Sequence, residues 1–367
     1  MTIARAALRP IVSATACRVM VVDDSAVIRG LLTRTLESDG EIAVVVSASN
    51  GQMALDALGR HDIELVLLDV EMPVMDGLTA LPLLLKAQPA LKVVVVSSLT
   101  KAGATATLRA LAAGAADYVT KPSSAMLTTG DAFRHELLAK VKGLVAAMRA
   151  GAAMPAPAPA PLVQGAALRP LPLEPPQAIA IGASTGGPMA LYRIVPSLAG
   201  AVRQPIFVTQ HMPPTFTAIF AEHLARASGL AAAEAVDGER VADRRIYVAP
   251  GDYHMLIEGG AAARRIRLVK GPAENYCRPA VDPMLRSLAQ SYGAGLLATI
   301  LTGMGQDGLG GAHAVVASGG AVVAQNQATS VVWGMPGAVA QAGLCAAILP
   351  LDEIGPFLAA IAARGSA

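Results

Sequence analysis

Residues 65–77 read Leu-Val-Leu-Leu-Asp-Val-Glu-Met-Pro-Val-Met-Asp-Gly, an apolar run that ends on an aspartate and a turn. A short apolar run bounded by turn residues is typical of a buried strand in a parallel sheet. Four similar runs lie between residues 18 and 147, with amphipathic helical segments between them. Strands that alternate with helices predict a doubly wound α/β sheet, which binds ligands at the carboxyl ends of its strands. The predicted strands are Val19–Val22, Ile42–Val46, Leu65–Leu68, Val93–Val96 and Tyr118–Val119.

Chemically matched side chains follow four of these five runs. Asp23 and Asp24 end the first run, Asp69 the third, Ser97 the fourth and Lys121 the fifth. In a parallel sheet these ends meet at one edge, where three carboxylates repel one another unless a hard cation such as Mg²⁺ lies among them. Asp69 can then attack phosphorus, while Mg²⁺ and the Lys121 ammonium stabilise the phosphoryl oxygens and Ser97 hydrogen-bonds the bound group. A single strand-end aspartate is commonly only solvated, but four matched ends in chain order favour a phosphoryl acceptor site.

Residues 17–140 resemble the receiver domain of two-component response regulators. The resemblance is carried by Val-Val-Asp-Asp-Ser, Leu-Leu-Asp-Val-Glu-Met-Pro-Val-Met-Asp-Gly, Val-Ser-Ser and Thr-Lys-Pro. It implies that a histidine kinase phosphorylates Asp69. It also implies that Ser97 and Tyr118 are the switch residues that respond to phosphorylation, together with Lys121.

The same resemblance implies a magnesium site that serves phosphorylation. The implied direct ligands are Asp24, Asp69 and the main-chain oxygen of Glu71, and Asp23 acts partly through water. The bond between Lys121 and Pro122 is a candidate for the cis form.

A second reactive turn lies in the other half of the chain, Ile179-Ala-Ile-Gly-Ala-Ser-Thr-Gly-Gly-Pro188. It matches G-x-S-x-G around Ser184, a pattern in which small neighbours let a serine occupy a sharp turn between a strand and a helix. The N-terminus of the next helix supplies unpaired N–H groups at Gly186, which suit an oxyanion. Glycine-rich turns of this kind also bind phosphate groups, so a nucleophile and an anion site both fit the turn by itself.

A base and an acid can be proposed for Ser184 from the ends of other predicted strands. Of six histidines, only His211 ends a clear apolar strand at the same predicted sheet edge as Ser184, where it can accept the serine proton. Asp307 follows another apolar strand and can orient the imidazole, although a helix N-cap is an equal alternative for it. Asp252 and Asp282 are rival aspartates in loops.

The second half of the chain is predicted to be another doubly wound domain, Rossmann-like, with a short antiparallel portion near Asp237-Gly238. The order serine, histidine, aspartate differs from the order serine, acid, histidine of α/β-hydrolases. The sequence therefore predicts a different doubly wound fold in spite of the G-x-S-x-G match.

Residues 17–360 resemble the chemotaxis protein-glutamate methylesterases of the CheB family. The motifs of the second half are Ile-Gly-Ala-Ser-Thr-Gly-Gly, Gln-His-Met-Pro, Arg-Pro-Ala-Val-Asp and Leu-Thr-Gly-Met-Gly-Gln-Asp-Gly. The resemblance implies Ser184 as nucleophile, His211 as base and Asp307 as the residue that orients the base. Thr185 and Met304 match active-site positions and are candidates for oxyanion or substrate contacts.

The implied function is removal of methyl groups from glutamate γ-methyl esters of chemoreceptors, activated by phosphorylation, with deamidation of receptor glutamines as a related reaction. The implied partners are the cytoplasmic domain of a methyl-accepting chemoreceptor and a chemotaxis histidine kinase. We expect a cytoplasmic monomer that needs no cofactor for the esterase reaction.

Composition disfavours other classes of protein. The net charge of +2 and the lack of a basic run argue against a DNA-binding response regulator. Cys17, Cys277 and Cys345 lie far apart without C-x-x-C spacing, which predicts neither a disulfide framework nor a zinc site. Residues 308–351 carry no Asp, Glu, Lys or Arg, but glycines and polar residues interrupt them too often for a membrane span.

The predicted domain boundaries follow an Ala/Pro-rich segment with eight prolines between residues 149 and 177. Such a composition predicts an extended, semi-rigid linker. We predict a disordered extension at 1–16, a receiver domain at 17–140, a linker at 141–177 and a catalytic domain at 178–367.

Overall fold

The computed structural model describes residues 16–122, 131–152, 168–171, 174–260 and 263–365. The chain divides into two compact units, one within residues 1–98 and 113–141 and the other within 99–112 and 142–367. Apart from Ala16, the predicted extension lies outside the described residues, and so do residues 153–167 and 172–173 of the predicted linker. The proposed domain boundaries stay predictions.

The first sheet has five strands in the order β2-β1-β3-β4-β5, and every pairing is parallel. Its central strand β3 is buried along its whole length, as expected for a strand covered on both faces. The elements along this part of the chain are β1 (Cys17–Val22), α1 (Ala26–Glu37), β2 (Ile42–Ala48), α2 (Gly51–Leu58), β3 (Leu65–Asp69), α3 (Gly77–Ala87), β4 (Lys92–Ser97), α4 (Lys101–Ala112), β5 (Asp117–Thr120) and α5 (Asp131–Ala152).

Side-chain caps fix where three of these helices begin. The side chains of Ser25, Asn50 and Asp76 accept hydrogen bonds from main-chain N–H groups in the first turns of α1, α2 and α3. A cap of this kind contributes about 1 kcal/mol to helix stability. Each cap therefore helps to end the loop that leaves the carboxyl end of the preceding strand.

The second unit contains a parallel sheet of seven strands, in the order β14-β13-β12-β6-β7-β9-β8, and a separate antiparallel pair, β10 and β11. Its elements are β6 (Ala178–Ala183), α6 (Gly187–Ile194), a 3₁₀ helix (Val195–Leu198), β7 (Ile206–Gln210), α7 (Pro214–Ser228), β8 (Ala231–Glu234), β9 (Arg245–Val248), β10 (His254–Glu258), β11 (Arg265–Val269), α8 (Val281–Tyr292), a 3₁₀ helix (Gly293–Gly295), β12 (Leu296–Ile300), α9 (Leu309–Ala317), β13 (Ala321–Gln325), α10 (Met335–Gln341), β14 (Ala347–Leu349), α11 (Leu351–Ala362) and a 3₁₀ helix (Ala363–Gly365).

Three adjacent strands of this sheet carry the predicted catalytic residues. β6 lies between β12 and β7, with Gly182 paired to Ile300 and Ala183 paired to Gln210. Ser184 follows β6 directly, His211 follows β7 directly, and Asp307 lies in the loop after β12. Because these strands are parallel, all three residues leave the sheet at its carboxyl edge.

The predicted fold class of two doubly wound α/β domains with a short antiparallel portion is confirmed. The strands that flank Asp237-Gly238 are β8 and β9, and they pair in parallel. The antiparallel pair is β10 with β11. The segment after the Asp237-Gly238 turn also pairs antiparallel with β11, through the bridge of Arg240 with Arg265 and the hydrogen bond from the Gly238 N–H to the Ile266 main-chain oxygen.

Several details differ from the sequence prediction. β8, β14 and α10 were not predicted, because β8 is Ala-Ala-Ala-Glu, β14 has three residues and α10 opens with Met-Pro-Gly. The helix α5 continues to Ala152, into the predicted linker. The bond between Lys121 and Pro122 is trans, and the cis bond joins Arg278 to Pro279. No helix within the described ranges combines the length and the apolar character that a membrane crossing requires.

Gly77 is predicted to be essential to the loop around Asp69. Its N–H donates to the Val70 main-chain oxygen at 2.9 Å, and a Cβ at this position would collide with the Asp69 main-chain oxygen. We expect Gly77→Ala to lower the free energy of unfolding by about 1–3 kcal/mol, because the loop must move. Thermal melting measures this against Gly40→Ala, whose Cβ meets no atom within 4 Å. Equal melting temperatures for the two variants would contradict the prediction.

Candidate active site and phosphoryl acceptor site

The acidic cluster of the first sheet lies at the ends of β1 and β3, beside the lysine that follows β5. One carboxylate oxygen each from Asp23, Asp24 and Asp69 lies within 4.8 Å of the others. Asp23 and Asp69 are buried and Asp24 is exposed. The Lys121 Nζ lies 2.8 Å from Asp23 Oδ2 and 2.8 Å from Asp69 Oδ2. The structure therefore brings the four predicted strand-end groups of β1, β3 and β5 together.

Burial governs the electrostatics of this cluster. It raises the pKa of Asp69 to about 6, against the hydrogen bond from Lys121, and the nearby charge of Asp23 acts in the same direction as burial. Burial alone lowers the pKa of Lys121, but its hydrogen bonds to Asp23 and Asp69 outweigh burial and raise that pKa. The ammonium therefore stays charged, while Asp69 loses its proton near pH 6.

The donor set of the cluster fits a hard divalent cation. Within the described part of the chain, the Lys121 ammonium is the sole partner of the two buried oxygens, Asp23 Oδ2 and Asp69 Oδ2. Three ionised carboxylates against one ammonium leave a net negative charge, and oxygen-only ligands are those that Mg²⁺ prefers. The main-chain N–H of Glu71 points to Asp69 Oδ1 at 3.5 Å, and its main-chain oxygen stays a predicted ligand.

Two of the predicted switch residues, Ser97 and Tyr118, lie in the neighbouring strands β4 and β5. Ser97 is buried, its hydroxyl donates to the Ser98 main-chain oxygen at 3.4 Å, and its own main-chain oxygen accepts from the Lys121 N–H at 2.7 Å. Tyr118 is also buried, and burial raises its pKa above the usual value. The Lys140 Nζ lies 4.6 Å from the centre of the Tyr118 ring and donates to the Tyr118 main-chain oxygen at 2.7 Å.

Magnesium is expected to stabilise the protein in a pH-dependent way. Metal ligands must be deprotonated, and the pKa of Asp69 is raised to about 6. We expect Mg²⁺ to raise the melting temperature at pH 8 and to lose this effect as the pH falls through 6. Thermal melting with and without Mg²⁺ measures the shift, with Asp24→Asn as the variant that removes a ligand. A shift of the same size at pH 5 and pH 8 would contradict the assignment.

The serine turn of the second unit is held by main-chain hydrogen bonds. Ser184 is half-buried, its N–H donates to the Thr302 main-chain oxygen at 3.1 Å, and its main-chain oxygen accepts from Gln210 Nε2 at 2.9 Å. Gly186 has a φ of +76° and precedes the first turn of α6. A Cβ on Gly303 would lie 2.9 Å from Ser184 Cβ, so only glycine lets the loop after β12 pass this close to the serine.

Asp307 and His211 form the central contact of the site. His211 Nε2 lies 2.7 Å from Asp307 Oδ2. Asp307 is buried and accepts from five donors, two of them the main-chain N–H groups that begin α8. Burial alone raises the pKa of Asp307, but these hydrogen bonds and the charge of His211 outweigh it and hold the pKa below its usual value. The five donors belong to His211, Asn275, Val281, Asp282 and Gly308.

These contacts bear on the alternative that Asp307 is only the N-cap of the helix that follows it. Its donors at Val281 and Asp282 belong to the start of α8, and α9, the helix that follows Asp307, has no side-chain cap. The rival Asp252 instead pairs with Arg278 and Lys270, and no described residue links it to His211. The rival Asp282 accepts from the Gly311 N–H at 2.6 Å and from Asn275 Nδ2 at 3.1 Å.

The structure does not close the full predicted triad. No hydrogen bond between the described residues joins the Ser184 hydroxyl to His211. The ring nitrogen that does not face Asp307, His211 Nδ1, instead lies 3.3 Å from Cys277 Sγ. Thr185 is buried and its main-chain oxygen accepts from Thr302 Oγ1 at 2.9 Å, while Met304 is half-buried in the loop after β12.

Three residues that contact the site were not singled out from the sequence. Asn275 bridges Asp282 and Asp307, Cys277 contacts His211, and Gln210 donates to the main-chain oxygens of Ser184 and His211. Asn275 and Cys277 lie in a loop without periodicity, so no pattern marks them. Gln210 is the last residue of β7, and its position beside His211 was the one available signal.

Both halves of the chain match known protein families. The family described as "CheB methylesterase" matches residues 179–358, and "Response regulator receiver domain" matches residues 19–129. A protein-glutamate methylesterase/protein-glutamine glutaminase 1 of Paramagnetospirillum magneticum is 55% identical, over 95% of this chain and 96% of its own length. The chain belongs to the CheB methylesterase family. The predicted resemblance to CheB enzymes with a receiver domain is thereby confirmed.

One further relative agrees with this membership. A protein-glutamate methylesterase/protein-glutamine glutaminase of Rhodospirillum centenum is 54% identical to this CheB family member, over 95% of each chain. The crystal structure of the Thermotoga maritima CheB methylesterase catalytic domain is 41% identical, and the match covers 51% of this chain and 98% of that one, with a TM-score of 0.49.

Proposed function

We propose that this CheB family member is a serine hydrolase that removes methyl groups from glutamate γ-methyl esters of a chemoreceptor. The observation that carries the proposal is the buried contact between Asp307 and His211, at the sheet edge where Ser184 follows the neighbouring strand β6. An anion-binding turn explains the glycines beside Ser184. It gives no reason for a carboxylate held by five donors beside an imidazole.

The proton positions follow from the hydrogen bonds of Asp307. An ionised carboxylate only accepts, so its partner His211 Nε2 carries a proton. His211 Nδ1 is then the basic nitrogen of the neutral ring. It accepts the proton of the Ser184 hydroxyl as the serine oxygen attacks the ester carbonyl, and Asp307 stabilises the imidazolium that forms.

The remaining steps are release of methanol and hydrolysis of the acyl-enzyme. The proton on His211 Nδ1 passes to the methoxide leaving group, methanol departs, and the glutamyl group stays bonded to Ser184. Water then attacks the acyl-enzyme, with His211 again as base, and glutamate is released. A glutamine amide follows the same course with ammonia as leaving group. The N–H groups at Gly186, with Thr185 and Met304, are the proposed contacts of the oxyanion and the substrate.

Phosphorylation is the proposed control of this reaction. A histidine kinase donates the phosphoryl group, and Asp69 accepts it beside Lys121. Bound Mg²⁺, held by Asp23, Asp24, Asp69 and the main-chain oxygen of Glu71, would offset charge on the phosphoryl oxygens. Ser97 and Tyr118 then respond to the bound group, and the serine site becomes accessible. We place the protein in the cytoplasm as a monomer that acts on the cytoplasmic domain of a methyl-accepting chemoreceptor, without nucleic acid or membrane insertion.

Ser184→Ala is expected to abolish hydrolysis, and Asp307→Asn to lower kcat by about 10²–10⁴-fold, because an amide at residue 307 no longer fixes the proton on His211 Nε2. Methanol release from a methylated chemoreceptor cytoplasmic fragment measures both. Asp352→Asn, which alters a surface ion pair with Arg193, serves as the matched control and should keep the wild-type rate. Retained methanol release by Ser184→Ala would exclude the assignment.

A fluorophosphonate reagent separates hydrolysis from the alternative of a binding module without hydrolysis. The reagent modifies an activated serine, so the proposed enzyme should be labelled at Ser184. A module whose turn only binds an anion should not react. Absence of labelling together with absence of methanol release would favour the binding module.

Phosphorylation of Asp69 is expected to raise the hydrolytic rate on the order of tenfold, the usual scale of coupling between two sites. The rate is measured before and after acetyl phosphate is added with Mg²⁺, and mass spectrometry confirms modification of Asp69. Asp69→Asn should not respond, whereas the control Asp56→Asn, which alters an exposed residue of α2, should respond as wild type does. An unchanged rate after confirmed modification of Asp69 would refute the proposal that phosphorylation activates hydrolysis.

A further inference from the structure

Cys277 has a contact that the proposed reaction leaves unexplained. Its Sγ lies 3.3 Å from His211 Nδ1, the nitrogen that the reaction needs as base. Cys277 is half-buried, whereas Cys17 and Cys345 are both 2% exposed. Of the three cysteines, Cys277 is therefore the one that combines partial access with a titratable partner in the site.

The position of Cys277 is set by a tight turn. The N–H of Cys277 donates to the Glu274 main-chain oxygen at 2.9 Å, and the N–H of Glu274 donates back to the Cys277 oxygen at 3.1 Å. Asn275 and Tyr276, between them, have φ values of 51° and 63°. Glu274 also pairs with Arg286 of α8 at 2.6 Å. The turn is thus closed by its own hydrogen bonds and attached to a helix.

This turn holds both members of the Asp307–His211 pair. Asn275 donates to Asp307 Oδ1 at 3.0 Å, and Cys277 contacts the opposite side of the His211 ring. Asp307 in turn holds His211 Nε2 at 2.7 Å. The imidazole is therefore fixed at both nitrogens, by Asp307 on one side and by Cys277 on the other.

The direction of the proton follows from the chemistry of the three groups. Because ionised Asp307 accepts the Nε2 proton, Nδ1 of the neutral ring accepts from the Cys277 thiol, whereas Nδ1–H of the protonated ring donates to Cys277 Sγ. The Ser184 hydroxyl requires the same lone pair for its attack. Cys277 and Ser184 thus compete for one nitrogen.

We propose that Cys277 is a positioning residue for His211, whose thiol fixes the ring through Nδ1 and competes with the Ser184 hydroxyl for that nitrogen. The inference rests on the proposed function, since it takes His211 as the base. It assigns Cys277 no bond to the substrate. It does make the proton affinity of His211 Nδ1 depend on the Cys277 thiol. The access of the Ser184 hydroxyl to that nitrogen depends on the same thiol.

The charges around His211 give the direction of the expected effect. Burial alone lowers the pKa of His211, but Cys277 Sγ, as partner of the Nδ1 proton, and the hydrogen bond and charge of Asp307 outweigh burial and raise the pKa to about 10. Asp282 of α8 lies behind Asp307, where Asn275 bridges the two carboxylates. Loss of the thiol leaves Asp307 as the remaining group that raises the pKa, so His211 loses its Nδ1 proton at lower pH.

The test is the pH profile of kcat/KM for methanol release from a methylated chemoreceptor cytoplasmic fragment, with the full chain. We expect Cys277→Ala to move the acid limb of the profile about one pH unit lower. Cys277→Ser should show the same move and a higher limiting rate than Cys277→Ala, because its hydroxyl still donates to Nδ1 of the neutral ring. Tyr276→Phe, on the same turn and 89% exposed, should match wild type. Superimposable profiles for wild type and Cys277→Ala would overturn the proposal.

Methyl methanethiosulfonate provides a second readout that does not depend on a shifted profile. The Cys277 sulfur attacks the reagent, a disulfide to a methylthio group forms, and methanesulfinate leaves. The adduct occupies the space beside His211 Nδ1, so activity should fall at least about tenfold and return when dithiothreitol reduces the disulfide. Cys277→Ala should resist the reagent, and equal inactivation of that variant would overturn the proposal.

Ser184→Ala, measured in parallel, separates the two claims. If it retains thiol-sensitive hydrolysis, Cys277 is itself the nucleophile, and both the proposed function and this inference fail. If it is inactive while Cys277→Ala leaves the pH profile and the reagent sensitivity unchanged, the inference fails and the proposed function stands. An inactive Ser184→Ala with a shifted Cys277→Ala profile supports both.

Discussion

The compensation of one buried charge determines how the second site is built. Asp307 is 1% exposed, and a carboxylate in such surroundings is tolerated only when donors replace the water it has lost. Five donors do so, and they come from the residue after β7, from α8, from the turn before α8 and from the loop after β12. The orientation of His211 is therefore a product of tertiary structure, since no local segment contains enough donors to hold Asp307 in place.

The two sites use the same architecture with opposite electrostatics. Both lie where parallel strands end, because fully buried strands such as β3 and β6 have room for polar side chains only at their edges. In the first sheet, three carboxylates face a single ammonium, and the excess negative charge suits a divalent cation and a transferred phosphoryl group. In the second, five donors compensate the charge of Asp307, and one of them is the His211 ring.

The sequence predicted those features that depend on periodicity and on strand ends. Alternating apolar runs predicted the five strands of the first sheet, and the ends of predicted strands located Asp69, Ser184 and His211. The short or alanine-rich strands β8 and β14 carry too little apolar signal to be found. Asn275 and Cys277 could not be found either, because they reach the site through a turn whose path depends on the packing of α8.

The central claim is that Asp307 keeps a proton on His211 Nε2 and so leaves Nδ1 as the base. Nitrogen-15 NMR of the histidine ring tests it directly, because the two ring nitrogens differ in chemical shift according to which one is protonated. The account predicts that Nε2 keeps its proton at every pH at which the protein is folded, and that the proton that titrates is on Nδ1. A ring that loses its Nε2 proton first, or a protonated Asp307 at neutral pH, would contradict it.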